Sequence, residues 1–113
     1  MKQHRPSPKH VRQVLGLVAL TLIASAGPAL ANKALADKQG CLACHAAATK
    51  LVGPAYRDVA AKYTGDANAS AALVQSIRNG GVGKWGEMPM PPQKQVSEAD
   101  AKKIARWILD GAK

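Results

Sequence analysis

Two cysteines and a histidine stand in one short run that could hold a large cofactor. Cys41 and Cys44 are three positions apart, and His45 follows directly. On one helical turn, two thiols at this spacing point the same way, so both could add as thioethers to the vinyl groups on one edge of a porphyrin. The imidazole of His45 would then lie below the ring, where it could bind the iron. The pattern predicts covalent attachment of a c-type haem.

A Cys-x-x-Cys pair has other uses, which need a different context. A thioredoxin-like dithiol belongs in a strand–helix–strand unit, and a structural zinc site needs four nitrogen or sulfur ligands. The chain has 2 Cys and 3 His, and His4 and His10 fall in a segment that we expect to be removed. A disulfide or redox pair remains the main alternative to haem attachment.

Residues 1–31 have the features of a cleaved secretory signal peptide. An apolar stretch occupies residues 14–26, and a small-x-small motif ends at Ala31. The basic residues before the stretch are Lys2, Arg5, Lys9 and Arg12. A membrane anchor is the alternative, but the stretch is short and is interrupted by glycine and hydroxyl side chains. We therefore expect a single mature domain over residues 32–113.

The composition of the mature domain limits which partners it can bind and how it can form a core. The full chain has 16 basic and 7 acidic residues, and removal of the leader would leave 12 basic and 7 acidic ones, a net charge of +5. Two haem propionates would lower the charge further, which argues against nucleic acid as a partner and fits a moderately basic docking face. Ordinary solubilising charge explains the excess equally well. Because the chain has no Phe and many small Ala side chains, we expect the haem to fill the core and the apoprotein to fold poorly.

Helical periodicity dominates the domain and predicts an all-α fold, with about four short helices around one haem. The expected helices run from Asn32 towards Gln39, from Pro54 to about Gly65, from about Asn68 to Asn79, and from Ser97 onward. The last one opens on a run that resembles a capping box and should pack against the first. No alternating strand pattern competes, so residues 80–96, rich in Gly and Pro, are expected to form a functional loop.

Met88 and Met90 are the candidates for the second axial ligand of the iron. Without the leader, His45 is the one histidine of the chain, which leaves a thioether, a lysine, water or an open position. A thioether is the best fit because Met88 and Met90 both fall in the loop rich in Gly and Pro. A soft sulfur ligand would favour ferrous iron and raise the reduction potential. Prolines on both sides stiffen Met90, but they do not decide between the two methionines. Both could also simply fill an apolar gap.

Four blocks of sequence follow one another along residues 32–113: C-L-A-C-H, V-G-P-A-Y, K-W-G-E-M-P-M-P-P and W-I-L. Together they resemble the short class I c-type cytochromes of Gram-negative bacteria, which are periplasmic electron carriers. The resemblance implies that Met90 is the axial ligand and that the Pro54 carbonyl accepts a hydrogen bond from Nδ1 of His45. It also implies that the indole N–H of Trp85 reaches a haem propionate.

Two positions depart from the pattern of that family. An Arg that the family often has near the inner propionate is replaced by Ser76, with Arg78 two residues further on. An Asn that commonly follows the Met-Pro-Pro run is Gln93 here. The partners of the propionates and the support of the methionine sulfur are therefore open.

The resemblance implies a carrier of single electrons that is not an enzyme. Its expected partners are redox proteins: a periplasmic reductase such as nitrite reductase, a terminal oxidase or a quinol-oxidising complex. We expect no nucleic acid, no membrane anchor after cleavage, and a monomer, with a loop- or helix-swapped dimer as the alternative. Lys38, Lys50 and Lys84 are candidates for a basic collar that steers an acidic partner. The alternative function is a haem-based binder of small ligands or a peroxidatic enzyme, which would need a labile sixth ligand.

Overall fold

Four α-helices and one short β-hairpin form the part of the protein that the structure, a computed structural model, describes: residues 27–113. The elements in chain order are α1 (Pro28–Lys38), a 3₁₀ turn (Cys41–Ala43), α2 (Tyr56–Lys62), α3 (Ala69–Asn79), β1 (Gly81–Gly83), β2 (Gly86–Met90) and α4 (Glu98–Leu109). The predicted set of about four short helices is confirmed. The apolar stretch of the predicted leader, its basic residues, His4 and His10 lie outside the described residues.

Helix α4 is the element against which the other three helices pack. It begins at the predicted place, because the hydroxyl of Ser97 accepts a hydrogen bond from the backbone N–H of Asp100 at 3.1 Å. Its buried side chains are Ala101, Ile104, Ala105, Trp107 and Ile108. The predicted contact between α4 and α1 is confirmed. Fully buried alanines on both helices let the two backbones approach closely.

Helix α1 begins earlier than the sequence pattern predicts, at Pro28 rather than Asn32. Proline suits the first turn of a helix, since its missing N–H would have no partner there. All side chains of residues 28–31 are exposed, and Ala36 is the buried residue of the helix. The first turn of α1 therefore contributes little to the core, and the predicted cleavage after Ala31 stays a prediction.

The segment expected to be an irregular loop contains an antiparallel hairpin instead. Strand β1 pairs with β2 in a register that sets Gly81 opposite Met90 and Gly83 opposite Gly86, with an irregularity between the two pairs. Gly83 and Gly86 both have positive φ, as tight reversals with glycine allow. The expectation of a loop throughout was wrong because the two strands are short and rich in Gly and Pro, which gives no strand signal in the sequence. None of the helices among the described residues is long and apolar enough to cross a membrane.

Candidate functional site

The two cysteines lie on the 3₁₀ turn that follows α1. Gly40 precedes the turn with a φ of 83°, a left-handed conformation that lets the chain change direction after the helix. The backbone N–H groups of Cys44 and His45 both bond to the carbonyl of Cys41, at 3.2 and 3.0 Å. This single tight turn keeps both thiols and the imidazole beside one crevice. Both thiols are free, and that of Cys44 is exposed.

The ring of His45 is fixed by contacts with Pro54, Tyr56 and Gly53. Its Nδ1 lies 2.9 Å from the carbonyl oxygen of Pro54, so the nitrogen that faces this acceptor carries the proton and Nε2 keeps its lone pair. The ring stacks on Tyr56, with centroids 4.9 Å apart and planes inclined by 15°. Tyr56 in turn meets the edge of Trp107 at 5.5 Å. The result is an imidazole with a set tautomer and orientation, as a metal ligand requires.

Gly53 is the third neighbour, and the histidine needs it to be a glycine. A methyl group at this position would come within 2.7 Å of Nδ1 and 2.9 Å of Nε2 of His45. The backbone N–H of Gly53 also bonds to the carbonyl of Cys44 at 2.8 Å. The loop before α2 is thereby tied directly to the Cys turn, and the ring packs against bare backbone.

The crevice beside these residues has a mostly apolar wall. The side chains at its base come from α2, α3 and α4, and include Val59, Leu73, Ile77, Ile104 and Ile108. Lys50 and Lys84 are the charged residues that line it, and the lining within residues 27–113 includes no Asp or Glu. Lys38, the third residue of the proposed collar, lies at the end of α1 and is not among the lining residues. Such a wall suits a flat apolar ligand whose negative groups lie beside Lys50 and Lys84.

Both methionines of the hairpin line the crevice, but they differ in burial. Met88 is 65% exposed, whereas Met90 is partly buried and packs against the hydrophobic core. A ligand that closes a cofactor off from water must reach inward. The burial of the two side chains therefore favours Met90.

Trp85 lies at the tip of the hairpin and lines the crevice. The ammonium of Lys62, on α2, lies 4.7 Å from the centre of its ring and also donates to the carbonyl of Lys84 at 3.3 Å. Lys62 thus joins α2 to the hairpin through a cation–π contact and a hydrogen bond.

The residues that depart from the family pattern have separate places. Ser76 lines the crevice. Arg78 instead approaches Glu98 at the start of α4, with 3.9 Å between the charged groups, and is not among the lining residues. The side-chain amide of Gln93 lines the crevice but donates to the carbonyl of Pro91 at 2.9 Å. Arg78 therefore does not take over the position that Ser76 leaves without a charge.

Burial raises the pKa of two side chains that line the crevice. One is the thiol of Cys41 before haem is attached. The other is the hydroxyl of Tyr56, whose pKa the neighbouring Cys41 raises further. The phenol of Tyr56, which stacks on His45, therefore adds no negative charge beside the imidazole.

Sequence reasoning did not find every contact that shapes the site. Gly53, Tyr56 and Lys62 were not among its candidate site residues. The signal for Gly53 and Tyr56 is their place in V-G-P-A-Y, beside Pro54, but the contacts themselves depend on how the loop returns to His45. Lys62 gives no signal in the sequence.

The donor set fits a covalently attached haem. Two thiols and an imidazole with a free Nε2 come from one turn, a thioether comes from the hairpin, and an apolar wall lies between them. These groups are of the types that hold a porphyrin and bind its iron. A thioredoxin-like pair of cysteines would need neither the methionine nor the apolar wall.

Comparisons with known proteins point the same way. The family model described as Cytochrome c matches residues 25–112. Cytochrome c-551 of Allochromatium vinosum is 51% identical over 92 residues, which are 81% of this chain and 98% of the relative. Cytochrome c-552 of Nitrosomonas europaea is 48% identical over 95 residues, which are 84% of this chain and 92% of the relative.

Solved structures agree with these matches. The crystal structure of wild-type Nitrosomonas europaea cytochrome c552 has a TM-score of 0.68 at 50% identity and covers 69% of this chain and 96% of that one. The class 1 cytochrome MtoD from Sideroxydans lithotrophicus ES-1 has a TM-score of 0.61 at 29% identity, and covers 78% of this chain and 100% of that one. The helices thus have the arrangement of class I cytochromes.

Proposed function

Because this chain belongs to the cytochrome c family and carries one covalent c-type haem for electron transfer, we propose that it is a periplasmic one-electron carrier with His45 and Met90 as its iron ligands. The observation that carries the proposal is the single crevice that Cys41, Cys44, His45 and Met90 line together. The haem supplies an iron that takes up and releases one electron. Cys41 and Cys44 would hold it through thioether bonds.

The contacts of His45 support its role as the proximal ligand. The hydrogen bond from Nδ1 to Pro54 leaves Nε2 as the nitrogen that can bind iron. It also makes the ring a stronger electron donor. The stack on Tyr56 restricts rotation of the ring, so little of the iron's binding free energy is lost in ordering the ligand.

Met90 would close the other side of the iron. The side chain is partly buried, and its backbone is paired with β1. With both His45 and Met90 bound to it, the iron would have no position left for a substrate, and we expect the protein to catalyse no bond-making chemistry. The apolar wall would exclude water from the iron, and together with the sulfur ligand it would favour the ferrous state and a high reduction potential.

The face at the mouth of the crevice is the proposed contact for redox partners. Cys44 is exposed there, and the mouth also carries Lys50, Lys84 and the exposed Val82 and Met88. Basic and apolar groups together fit an acidic rim around an apolar patch on the partner. A periplasmic reductase such as nitrite reductase, a terminal oxidase or a quinol-oxidising complex is the class of partner that we propose.

We place the protein in the periplasm after cleavage behind Ala31. The exposed first turn of α1, residues 28–31, can be removed without loss of core contacts. Cleavage would leave Asn32, a residue type that caps helices well, at the new start. The protein would then act as a soluble monomer.

An intact-mass and voltammetry experiment tests this proposal. The full chain is expressed with haem-maturation factors in a Gram-negative host, and the periplasmic fraction is compared with that of a Cys41→Ser/Cys44→Ser control. We expect a mass equal to residues 32–113 plus one haem, a reversible one-electron wave, and no carbon monoxide bound to ferrous protein. Rapid binding of carbon monoxide would contradict the carrier and favour a haem-based ligand binder or peroxidatic enzyme.

A further inference from the structure

We propose that Gly80, the residue that ends α3, is a positioning residue for Met90 and determines how well the methionine holds the iron. This inference rests on the proposed ligation by Met90. A methyl group at Gly80 would overlap the carbonyl oxygen of Met90. It would also come within 2.8 Å of the nitrogen of Pro92 and 3.0 Å of the carbonyl carbon of Pro91. The backbone that carries the ligand therefore lies directly on the Cα of Gly80.

The conformation of Gly80 excludes other residues independently of this contact. Its φ is 67° and its ψ is −163°, a region that only glycine adopts at low cost. Gly81, the next residue, has no positive φ, and a methyl group there would meet nothing within 4 Å. A side chain is therefore excluded at Gly80 but has room at Gly81, although both positions are glycine.

Two further backbone contacts hold the ligand segment against the end of α3. Gly81 is the cross-strand partner of Met90. On the other side of the prolines, the N–H of Gln93 donates to the carbonyl of Ile77 at 2.9 Å. Ile77 also contributes its side chain to the crevice wall. The end of α3 therefore determines both the position of the crevice wall at Ile77 and how far the Met90 side chain reaches into the crevice.

The prolines around Met90 determine what a displacement would do. Pro89, Pro91 and Pro92 have fixed φ angles, so the segment has fewer rotations by which to absorb a push than an ordinary loop. A side chain at Gly80 would move the Met90 backbone outward as a unit. The thioether would be drawn away from the iron while the helices keep their packing.

The experiment compares Gly80→Ala with Gly81→Ala in the full-length holoprotein. Two quantities are measured: the weak sulfur-to-iron charge-transfer band at the red end of the ferric spectrum, and the affinity for added imidazole, which competes with the methionine. We expect Gly80→Ala to lose the band and to bind imidazole about tenfold to a hundredfold more tightly than Gly81→Ala, the usual effect of a lost ligand support. Far-UV circular dichroism should show unchanged helix content. An intact band with equal imidazole affinities in the two variants would overturn the inference.

Met90→Ala separates a failure of this inference from a failure of the ligation. If Met90→Ala loses the band but Gly80→Ala keeps it, the methionine binds the iron and Gly80 does not position it. If Met90→Ala keeps the band, the ligation is wrong, and the inference is overturned with it.

A second pair of variants answers the same question if Gly80→Ala does not accumulate as holoprotein. Gln93→Pro removes the N–H that bonds to Ile77, whereas Gln93→Ala keeps that N–H and loses only the side-chain bonds to Pro91 and Gln95, which Gln93→Pro loses as well. We expect Gln93→Pro to bind imidazole more tightly than Gln93→Ala. Equal affinities would show that the end of α3 does not hold the ligand segment, and would overturn the inference.

Discussion

Replacement of Gly53 by alanine should disturb the proximal histidine directly. The added methyl would overlap Cε1 of His45 and lie 2.7 Å from its Nδ1, where ordinary contact begins at 3.4 Å, so the ring must move by at least about 0.7 Å. The hydrogen bond from Nδ1 to Pro54 is 2.9 Å long, and a movement along it would stretch it to about 3.6 Å, beyond a real hydrogen bond. Overpacking costs about 1–3 kcal/mol, and the lost hydrogen bond adds about 1 kcal/mol. We expect a loss of about 2–4 kcal/mol in the free energy of unfolding.

The assay is denaturant unfolding of the ferric holoprotein, followed by far-UV circular dichroism, together with a reduction potential. The potential should rise, because a histidine without its Nδ1 hydrogen bond donates less electron density and stabilises ferric iron less. Gly81→Ala is the matched control, since a methyl group there meets nothing within 4 Å. If Gly53→Ala were as stable as Gly81→Ala to within about 0.5 kcal/mol and had the same potential, the packing of His45 on Gly53 would be refuted.

Three smaller changes test other contacts by the same unfolding assay. Ser97→Ala should lower the free energy of unfolding by about 1 kcal/mol, because it removes the cap of α4. Ser97→Asp should restore most of this loss. An alanine variant as stable as the wild type would disprove the cap. Trp107→Phe should cost about 1 kcal/mol or more, since it removes the bond from the buried indole N–H to the carbonyl of Lys113; a stability equal to wild type would contradict that bond. Lys62→Met keeps the aliphatic stem but removes the charge over Trp85, which should lower the free energy of unfolding by about 0.5–1 kcal/mol. Lys62→Arg keeps the charge and should largely avoid this loss. Equal losses in both variants would argue against the cation–π contact.

Local patterns were enough to predict the cysteine turn, the four helices and the cap at Ser97. In each case the signal is short in sequence: a fixed spacing, a helical period or a side chain that bonds within one turn. The hydrogen bond between His45 and Pro54 was anticipated from the family resemblance, and the structure contains it. The choice of Met90 over Met88 also came from the resemblance and agrees with the burial of the two side chains.

Contacts between distant segments could not be predicted in this way. The hairpin forms although its strands are short and rich in glycine, because its pairing depends on the whole chain between α3 and α4 and not on alternation. Gly80 and Gly81 are adjacent and identical in type, yet only at Gly80 would a side chain overlap the Met90 backbone. The stack of His45 on Tyr56 likewise needs the loop before α2 to fold back onto the Cys turn.

The most direct test of the account is the ferric absorption spectrum of the holoprotein beside the Met90→Ala and Met88→Ala variants. The proposed ligation predicts a low-spin spectrum with a weak sulfur-to-iron charge-transfer band near its red limit. This band should be lost in Met90→Ala and kept in Met88→Ala, because Met88 is largely exposed. A high-spin spectrum that neither substitution changes, or a band that disappears in Met88→Ala instead, would contradict it.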